Sequence, residues 1–219
     1  APTLLDAEYD DLVRRHRAIE ACFPHLIRTD SPSNKVGAPP SEHFAPVKHS
    51  RPMLSLDNLY TREDVEEWLA SRRKLAGLAA DAPLPMSSEL KIDGLSISLR
   101  YEGGRLVTAA TRGDGATGEN LTANALHVAG IPAVLPSDAP DVLEVRGEIY
   151  MPISAFNELN ATGSAGRTFA NCRNAAAGSF RLNDASKTAE RKLVFAPHGL
   201  GEVSAPIAAS WDDAFTILS

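Results

Sequence analysis

The chain has 219 residues, of which 43% are apolar and 23% are charged, and it carries a net charge of −6. This composition is ordinary for a folded domain, and the negative balance argues against a chain-wide basic surface for nucleic acid. No apolar run has the length of a membrane-spanning helix. Cys22 and Cys172 are far apart and form no C-x-x-C pattern, which argues against disulfides and zinc sites and favours a reducing cytoplasm.

In chain order, the first predicted element is a helix over residues 6–23, which Asp6 caps and Pro24 ends. Residues 24–52 are rich in Pro, Ser and Gly and carry little periodicity, so they predict a long linker. A second helix is predicted over 61–76, and its start has the spacing of a capping box. The chain does not begin with Met and its last residues fall inside a helical pattern, so we expect a fragment of a longer protein.

Alternating residues then predict a sheet. Residues 95–101 and 105–112 flank the pair Gly103-Gly104, which predicts a hairpin, and residues 142–150 predict a further strand. Further elements are predicted as a helix over 152–161, a helix within 170–181, a strand at 193–195 and a helix over 211–219. Because hairpins are mixed with helices rather than alternating with them, the pattern predicts an α+β fold.

The segment Glu89-Leu-Lys91-Ile-Asp93-Gly places one amine between two carboxylates. Alternate side chains of a strand share a face, so we predict a strand that presents all three charges on one side. Relative to the predicted hairpin, the motif would lie just before the first strand or at its start. A lysine held in this way suits nucleophilic catalysis. Because carboxylates favour the ammonium form, a cation such as Arg112 or a bound divalent ion must offset them, which points to a phosphate substrate with Mg²⁺. The alternative is a structural Lys–Asp pair on a sheet.

Three further segments carry residues that suit a phosphate-containing ligand. Thr-Arg112-Gly-Asp-Gly follows a predicted strand, and its glycines and its arginine suit phosphate binding. Glu148, on a strand face shared with Glu144 and Arg146, can accept a hydrogen bond from a ribose hydroxyl. Arg173 and Arg181 on a helix can hold phosphates. The alternatives are an ordinary glycine turn, a solvated strand face and a close-packed helix with surface arginines.

Six segments together resemble the bacterial NAD⁺-dependent DNA ligase family, where they occur in the same order and at about the same spacing. They are D-A-E-Y-D at 6–10, P-M-L-S-L-D-N at 52–58, E-L-K-I-D-G at 89–94, T-R-G-D-G at 111–115, V-R-G-E at 145–148 and N-C-R-N-A-A-A-G-S at 171–179. K-x-D-G alone is shared by all covalent nucleotidyltransferases, whereas the first, fourth and sixth segments are specific to the NAD⁺ branch. The chain departs from the family at Cys172, where Pro is usual, and at His198, where Tyr is expected. The family's later D-G-x-V-x-K motif and final active-site lysine are missing.

The resemblance implies an α+β nucleotidyltransferase fold, like that of DNA ligases and capping enzymes, with antiparallel sheets and helices. Part of a small helical domain would precede it. Residues 1–23 would be a remnant of this domain, which binds nicotinamide mononucleotide (NMN), 24–52 would be a linker, and 53–219 would form a C-terminally truncated adenylation domain.

The resemblance also implies a reaction. Lys91 would attack NAD⁺, keep AMP and release NMN, and the AMP would then pass to a 5′-phosphate at a DNA nick that the 3′-hydroxyl seals. The residues assigned to the nucleotide are Asp6, Ala7, Glu8, Tyr9 and Asp10 on the nicotinamide side, Ser55, Leu56 and Glu89 around adenine, Arg112 and Glu148 at the sugar and phosphate, and Asp93, Arg173 and Arg181 at phosphates or Mg²⁺.

The implied partners are NAD⁺ and nicked double-stranded DNA, with most DNA contacts made by regions beyond this chain. We expect a cytoplasmic monomer without a membrane partner, and no residue is assigned as a metal ligand. Two alternatives stay open. One is a nucleotide-binding fragment without catalytic turnover, and the other is an ATP- or GTP-dependent covalent nucleotidyltransferase.

Overall fold

The computed structural model describes residues 6–34 and 44–218. In chain order the elements are α1 (Asp6–Cys22), two 3-10 turns (Pro24–Leu26 and Pro32–Asn34), β1 (Pro46–Lys48), α2 (Arg62–Leu75), β2 (Leu95–Glu102), β3 (Arg105–Thr111), β4 (Thr117–Glu119), α3 (Thr122–Ala125), β5 (Val142–Tyr150), α4 (Ile153–Thr162), α5 (Cys172–Phe180), α6 (Ser186–Ala189), β6 (Val194–Val203) and α7 (Trp211–Leu218). Among the helices in these ranges, none combines the length and apolar character that crossing a membrane requires.

The centre of the fold is a four-stranded sheet in the order β3-β2-β5-β6, in which each neighbouring pair is antiparallel. β1 and β4 form a separate antiparallel pair. The predicted hairpin and the strand over 142–150 are confirmed, and the mixture of sheet and helices confirms the α+β class. The strand predicted at 193–195 is the start of the longer β6.

One face of the sheet carries the core, because alternate residues of each strand are apolar. Its main side chains are Ile97, Leu99 and Tyr101 of β2, Leu143, Val145 and Ile149 of β5, and Ala175, Ala176 and Phe180 of α5. Burial of each large side chain contributes about 1.5–3 kcal/mol. The two central strands and α5 therefore hold one another in fixed positions. β5 and α5 carry the predicted site residues Glu148 and Arg173, and β2 directly follows the Lys91 segment.

The opposite face of the sheet is polar, and the alternative of a solvated strand face is wrong for it. Glu144 is 3% exposed and Glu148 is 7% exposed. Ser98 of β2 donates to Glu144 at 2.8 Å, and Ser96 donates to Glu148 at 2.8 Å. A segment from a distant part of the sequence covers this face of the sheet. The alternation of charges within the strand could therefore not reveal that Glu144 and Glu148 are buried.

The helix predictions hold closely. At the start of α2, Thr61 accepts from the backbone of Asp64, while Asp64 accepts from the backbone of Thr61, which confirms the capping box. Gly77 follows the end of the helix with a φ of +67°. Within the predicted linker over 24–52, however, residues 46–48 form β1 and pair with β4, because β4 lies beyond the hairpin and leaves an open edge.

Candidate functional site

The predicted site segments meet at one edge of the sheet because the strands are antiparallel. The first residue of β2, Leu95, is paired with Ile149 near the end of β5, and Ile97 is paired with Thr111 at the end of β3. The segment before β2, the loop after β3 and the end of β5 therefore lie side by side. This register brings Lys91, Arg112 and Glu148 into one region.

The prediction that Glu89–Asp93 lies on a strand is wrong. These residues form no regular element, and β2 begins at Leu95, so the other predicted position, just before the first strand of the hairpin, is confirmed. The physical reason is that β3 and β5 both end at this edge, so no neighbouring backbone remains for pairing. Lys91 is exposed and forms no hydrogen bond or ion pair with any residue that the structure describes.

Gly94 fixes the path of this segment against β5. A Cβ atom at Gly94 would lie 2.2 Å from the carbonyl oxygen of Ile149 and 3.0 Å from Cγ of Glu148. Contacts shorter than 3.0 Å to backbone force the backbone to shift, so only glycine allows this approach. The glycine of K-x-D-G therefore allows the segment that carries Lys91 to pass close to Glu148 before it enters β2.

The two carboxylates around Lys91 each have a partner on a helix. Arg173 Nη1 donates to Asp93 Oδ1 at 2.9 Å, so the N-terminal turn of α5 is tied to the motif. Asn171 caps α5 by accepting from the backbone N–H of Asn174. Trp211 Nε1 of α7 donates to Glu89 Oε1 at 2.6 Å. Because 122 residues separate these partners, no local spacing in the sequence could have identified Trp211 as a site residue.

The loop after β3 has a defined shape. Asp114 Oδ1 accepts from the backbone N–H groups of Thr117 at 2.7 Å and Ala116 at 2.9 Å, and these bonds hold the pKa of Asp114 below its usual value of 3.8. Arg112 Nη1 reaches Ser55 Oγ at 3.5 Å. This contact brings together Arg112 and Ser55, two residues that the sequence assigns to the nucleotide. The next residue in the chain, Leu56, has an exposed side chain.

Arg181 has a different environment from Arg173. Its Nε donates to Glu119 Oε2 at 2.6 Å, and Glu119 is buried. The backbone N–H of Glu119 in turn donates to Thr111 Oγ1 at 3.0 Å. Arg181 is thus connected to the base of the Arg112 loop, whereas Arg173 is connected to the Lys91 motif.

The D-A-E-Y-D segment forms the first turns of α1. The side chains of Asp6, Ala7 and Asp10 lie outside the described part of the structure, and those of Glu8 and Tyr9 are exposed. α1 approaches the rest of the chain further along, where Arg17 Nη1 lies 3.4 Å from Asp57 Oδ1. A cleft of about 610 Å³ separates α1 from α2, and Leu56 and Trp68 are among its lining residues. Within the described ranges, the structure does not bring Tyr9 into contact with Lys91.

A second group of residues that sequence reasoning missed lies on the polar face of β5. Arg146 Nη2 donates to Glu144 Oε1 at 3.0 Å, and both side chains are largely buried. Burial raises the pKa of Glu144, but hydrogen bonds from Ser50, from Ser98 and from neighbouring donors outweigh this effect, so the pKa lies below its usual value of 4.5. Ser98, which is paired with Arg146 on the neighbouring strand, is a sequence signal for such a buried pair.

Carboxylates of the site do not form a metal centre by themselves. In the described part of the chain, no group of three or more His, Cys, Asp or Glu side chains is placed to hold a metal ion. Glu89, Asp93 and Glu148 each accept from a protein donor instead. Mg²⁺ usually takes only one or two carboxylates together with substrate phosphates, so a site without three clustered side chains still suits this ion when a nucleotide supplies the other ligands.

Comparison with known protein families shows to which family the chain belongs. The profile described as the NAD-dependent DNA ligase adenylation domain matches residues 41–218. The chain belongs to this family. The profile described as the DNA ligase-like, N-terminal NAD+-binding domain matches residues 1–37, which include α1.

Curated relatives agree with the family. A DNA ligase of Jannaschia sp. (strain CCS1) is 54% identical over 220 residues, which cover 100% of this chain and 29% of that protein. DNA ligases of Rhizobium meliloti (strain 1021) and Dinoroseobacter shibae are each 56% identical, over 94% and 95% of this chain and 29% and 28% of their own lengths. The chain thus spans less than a third of the curated relatives that it matches.

Proposed function

We propose that this chain is the adenylate-accepting region of an NAD⁺-dependent DNA ligase and that Lys91 is its nucleophile. In this reaction the lone pair of Lys91 Nζ forms a bond to the α-phosphorus of NAD⁺, and the amine loses a proton. The bond between that phosphorus and the phosphate oxygen of NMN breaks, and NMN leaves with the electron pair. The observation that carries the proposal is the exposed amine of Lys91, which has no hydrogen-bond or ion-pair partner among the described residues and lies in the same segment as the Asp93–Arg173 pair.

The local charges support a nucleophilic lysine. Attack requires the neutral amine, and an uncompensated carboxylate favours the ammonium form. Arg173 offsets the charge of Asp93 at 2.9 Å, and the indole of Trp211 occupies one oxygen of Glu89. Arg173 is half exposed and can also approach a phosphate of the substrate.

The remaining site residues support binding of the adenosine half of NAD⁺. We assign Ser55, Leu56 and Glu89 to the adenine and Glu148 to a ribose hydroxyl. Arg112 contributes a planar guanidinium for phosphate, and it already lies within 3.5 Å of Ser55. Because Arg181 is paired with Glu119, we propose that its effect on phosphate passes through the Arg112 loop.

The nicotinamide half is assigned to α1. The match to an N-terminal NAD+-binding domain supports this assignment. We propose that residues 1–23 belong to that domain, that 24–52 connect it to an adenylation region over 53–219, and that Asp6–Asp10 approach NAD⁺ only when α1 moves over the site. Mg²⁺, when bound, would stabilise phosphate charge, and phosphate oxygens would supply most of its ligands.

The later steps belong to the whole ligase. A 5′-phosphate oxygen at a nick would attack the phosphorus of Lys91-bound AMP and release the lysine. The 3′-hydroxyl would then attack the activated 5′-phosphate, and AMP would leave. We propose nicked double-stranded DNA as the partner, roles in DNA replication and repair, and a monomer in the cytoplasm, where the two free cysteines fit a reducing compartment.

The experiment is intact-protein mass spectrometry of the chain after incubation with NAD⁺ and Mg²⁺. We expect a mass increase of one AMP in the wild-type chain and none in Lys91→Ala or Lys91→Arg. Lys74→Ala is the matched control, because Lys74 is also exposed but lies on α2, and it should be labelled like the wild type. AMP on the Lys91→Ala protein would refute the assignment.

The same assay separates the alternatives. A mass increase with ATP or GTP and none with NAD⁺ would favour a different class of nucleotidyltransferase. Binding of NAD⁺ in calorimetry, without any mass increase in this assay, would favour a nucleotide-binding fragment without turnover.

A further inference from the structure

Residues 49–53 form a strap that crosses the polar face of the sheet and leads directly to Ser55. The strap has no regular secondary structure of its own. Ser50 Oγ donates to Glu144 Oε2 at 2.5 Å. Arg146 donates through Nη2 to the carbonyl of Arg51 at 2.7 Å and through Nη1 to that of Pro52 at 2.9 Å. Three consecutive strap residues are thus held by two side chains of β5.

The Glu144–Arg146 pair is enclosed between the strap and β6. Its side chains are 4% and 15% exposed, and desolvation of a buried ion pair largely cancels its Coulombic gain. Glu144 also accepts from the backbone N–H of Glu202 at 3.2 Å. A Cβ at Gly201 would lie 2.2 Å from the Glu144 carboxyl carbon, so β6 leaves space at that point for this carboxylate.

The other edge of the strap contacts the Arg112 loop. The backbone N–H of His49 donates to Ala116 at 2.9 Å, and that of Met53 donates to Gly115 at 2.9 Å. The His49 ring nitrogen Nε2 also lies 3.2 Å from the carbonyl oxygen of Arg112. The strap therefore lies between β5 and the loop, and any shift of the strap moves both Ser55 and Arg112.

We propose that Glu144 and Arg146 are positioning residues for the adenosine half of NAD⁺. They act through the strap, which sets where Ser55, Leu56 and Arg112 meet the nucleotide. This inference rests on the proposed function. Arginine is required because its planar fork reaches two successive carbonyls and Glu144 at once, which the single point charge of lysine cannot do.

The test compares Arg146→Lys and Glu144→Gln with Arg100→Lys in the 219-residue chain. Arg100 is a matched control, because it lies on the same sheet and bonds Glu202 at 2.6 Å and Glu102 at 2.7 Å but no strap residue. Three measurements are used. Calorimetry gives the Kd for NAD⁺, and hydrogen exchange reports on the amides of His49 and Met53. Thermal unfolding shows how much general stability each variant has lost.

We expect Arg146→Lys and Glu144→Gln to raise the Kd for NAD⁺ by roughly ten-fold or more, as loss of charge-assisted hydrogen bonds implies, and to speed exchange at His49 and Met53. Arg100→Lys should lower the melting temperature without either effect. An unchanged Kd, or unchanged exchange at the two amides, in Arg146→Lys would overturn the proposal.

Failure of the proposed function gives a different result. If the wild-type chain does not bind NAD⁺ at all, the proposed function fails at this point. The exchange of the His49 and Met53 amides would then still decide the positioning claim. Slow exchange that Arg146→Lys leaves unchanged would refute it without reference to any nucleotide.

Discussion

Replacing Gly94 with Ala tests whether the approach of the Lys91 motif to β5 matters for the reaction. The new Cβ would meet the carbonyl oxygen of Ile149 at 2.2 Å and the carbonyl carbon at 2.9 Å. Relief to an ordinary contact of about 3.4 Å requires the segment to move by about 1 Å. Forced shifts of this kind cost about 1–3 kcal/mol of unfolding free energy. A displacement of about 1 Å near the reacting atoms also slows chemistry about 100-fold.

The assay is the rate of AMP attachment from NAD⁺, measured beside urea unfolding at the same temperature. Gly199→Ala is the matched control, because a Cβ there would lie 3.8 Å from Arg146 Cβ, which is an ordinary contact. It should keep the wild-type rate and the wild-type stability or slightly more. Wild-type stability together with a wild-type rate in Gly94→Ala would refute the reasoning.

Three further predictions concern the charges and the indole around the site. The pKa of Glu144 is lowered by the fold, so its contribution to the unfolding free energy is present above pH 4.5 and is lost as the pH falls through its folded-state value. The stability advantage of the wild type over Glu144→Gln in urea unfolding should therefore shrink below pH 4.5, and a constant difference down to pH 3 (about the acid limit of the assay) would contradict this. Trp211→Phe removes the donor to Glu89 at 2.6 Å and should weaken AMP binding by about ten-fold in calorimetry, whereas unchanged affinity would show that the indole is only packed there. Joint replacement of Tyr9 and Asp10 by Ala should weaken binding of NAD⁺ but not of AMP, and an equal loss for both ligands would mean that α1 is only structural.

Local patterns were enough to predict most of the regular elements. β5 has the predicted bounds of 142–150, because charged residues recur at every second position from 144 to 148 within the strand itself. The capping box at Thr61 is also local, with its partner three residues away. β1 and β4 were not predicted, since each is three residues long and exists only through pairing with the other.

The candidate site was predictable as a set of segments but not as a set of contacts. The motifs predicted Lys91, Arg112 and Glu148 as candidates, and the antiparallel register places their segments side by side. The strand predicted through Lys91 does not form, because β3 and β5, the strands that could pair with it, end at the same edge of the sheet. The partners of Arg146 lie 94 and 95 residues away in the chain, so the covering strap could not be read from the β5 sequence.

Helix α5 connects the interior of the protein with its chemistry. Ala175, Ala176 and Phe180 are completely buried against the sheet, while Arg173, one turn earlier, holds Asp93 beside Lys91. Substitutions that loosen the inward side of α5 would therefore displace Arg173 without touching any nucleotide. Heat-sensitive alleles of this family should accordingly arise in the small apolar residues of this helix as well as in the pocket, and Ala176→Val is a direct route to one.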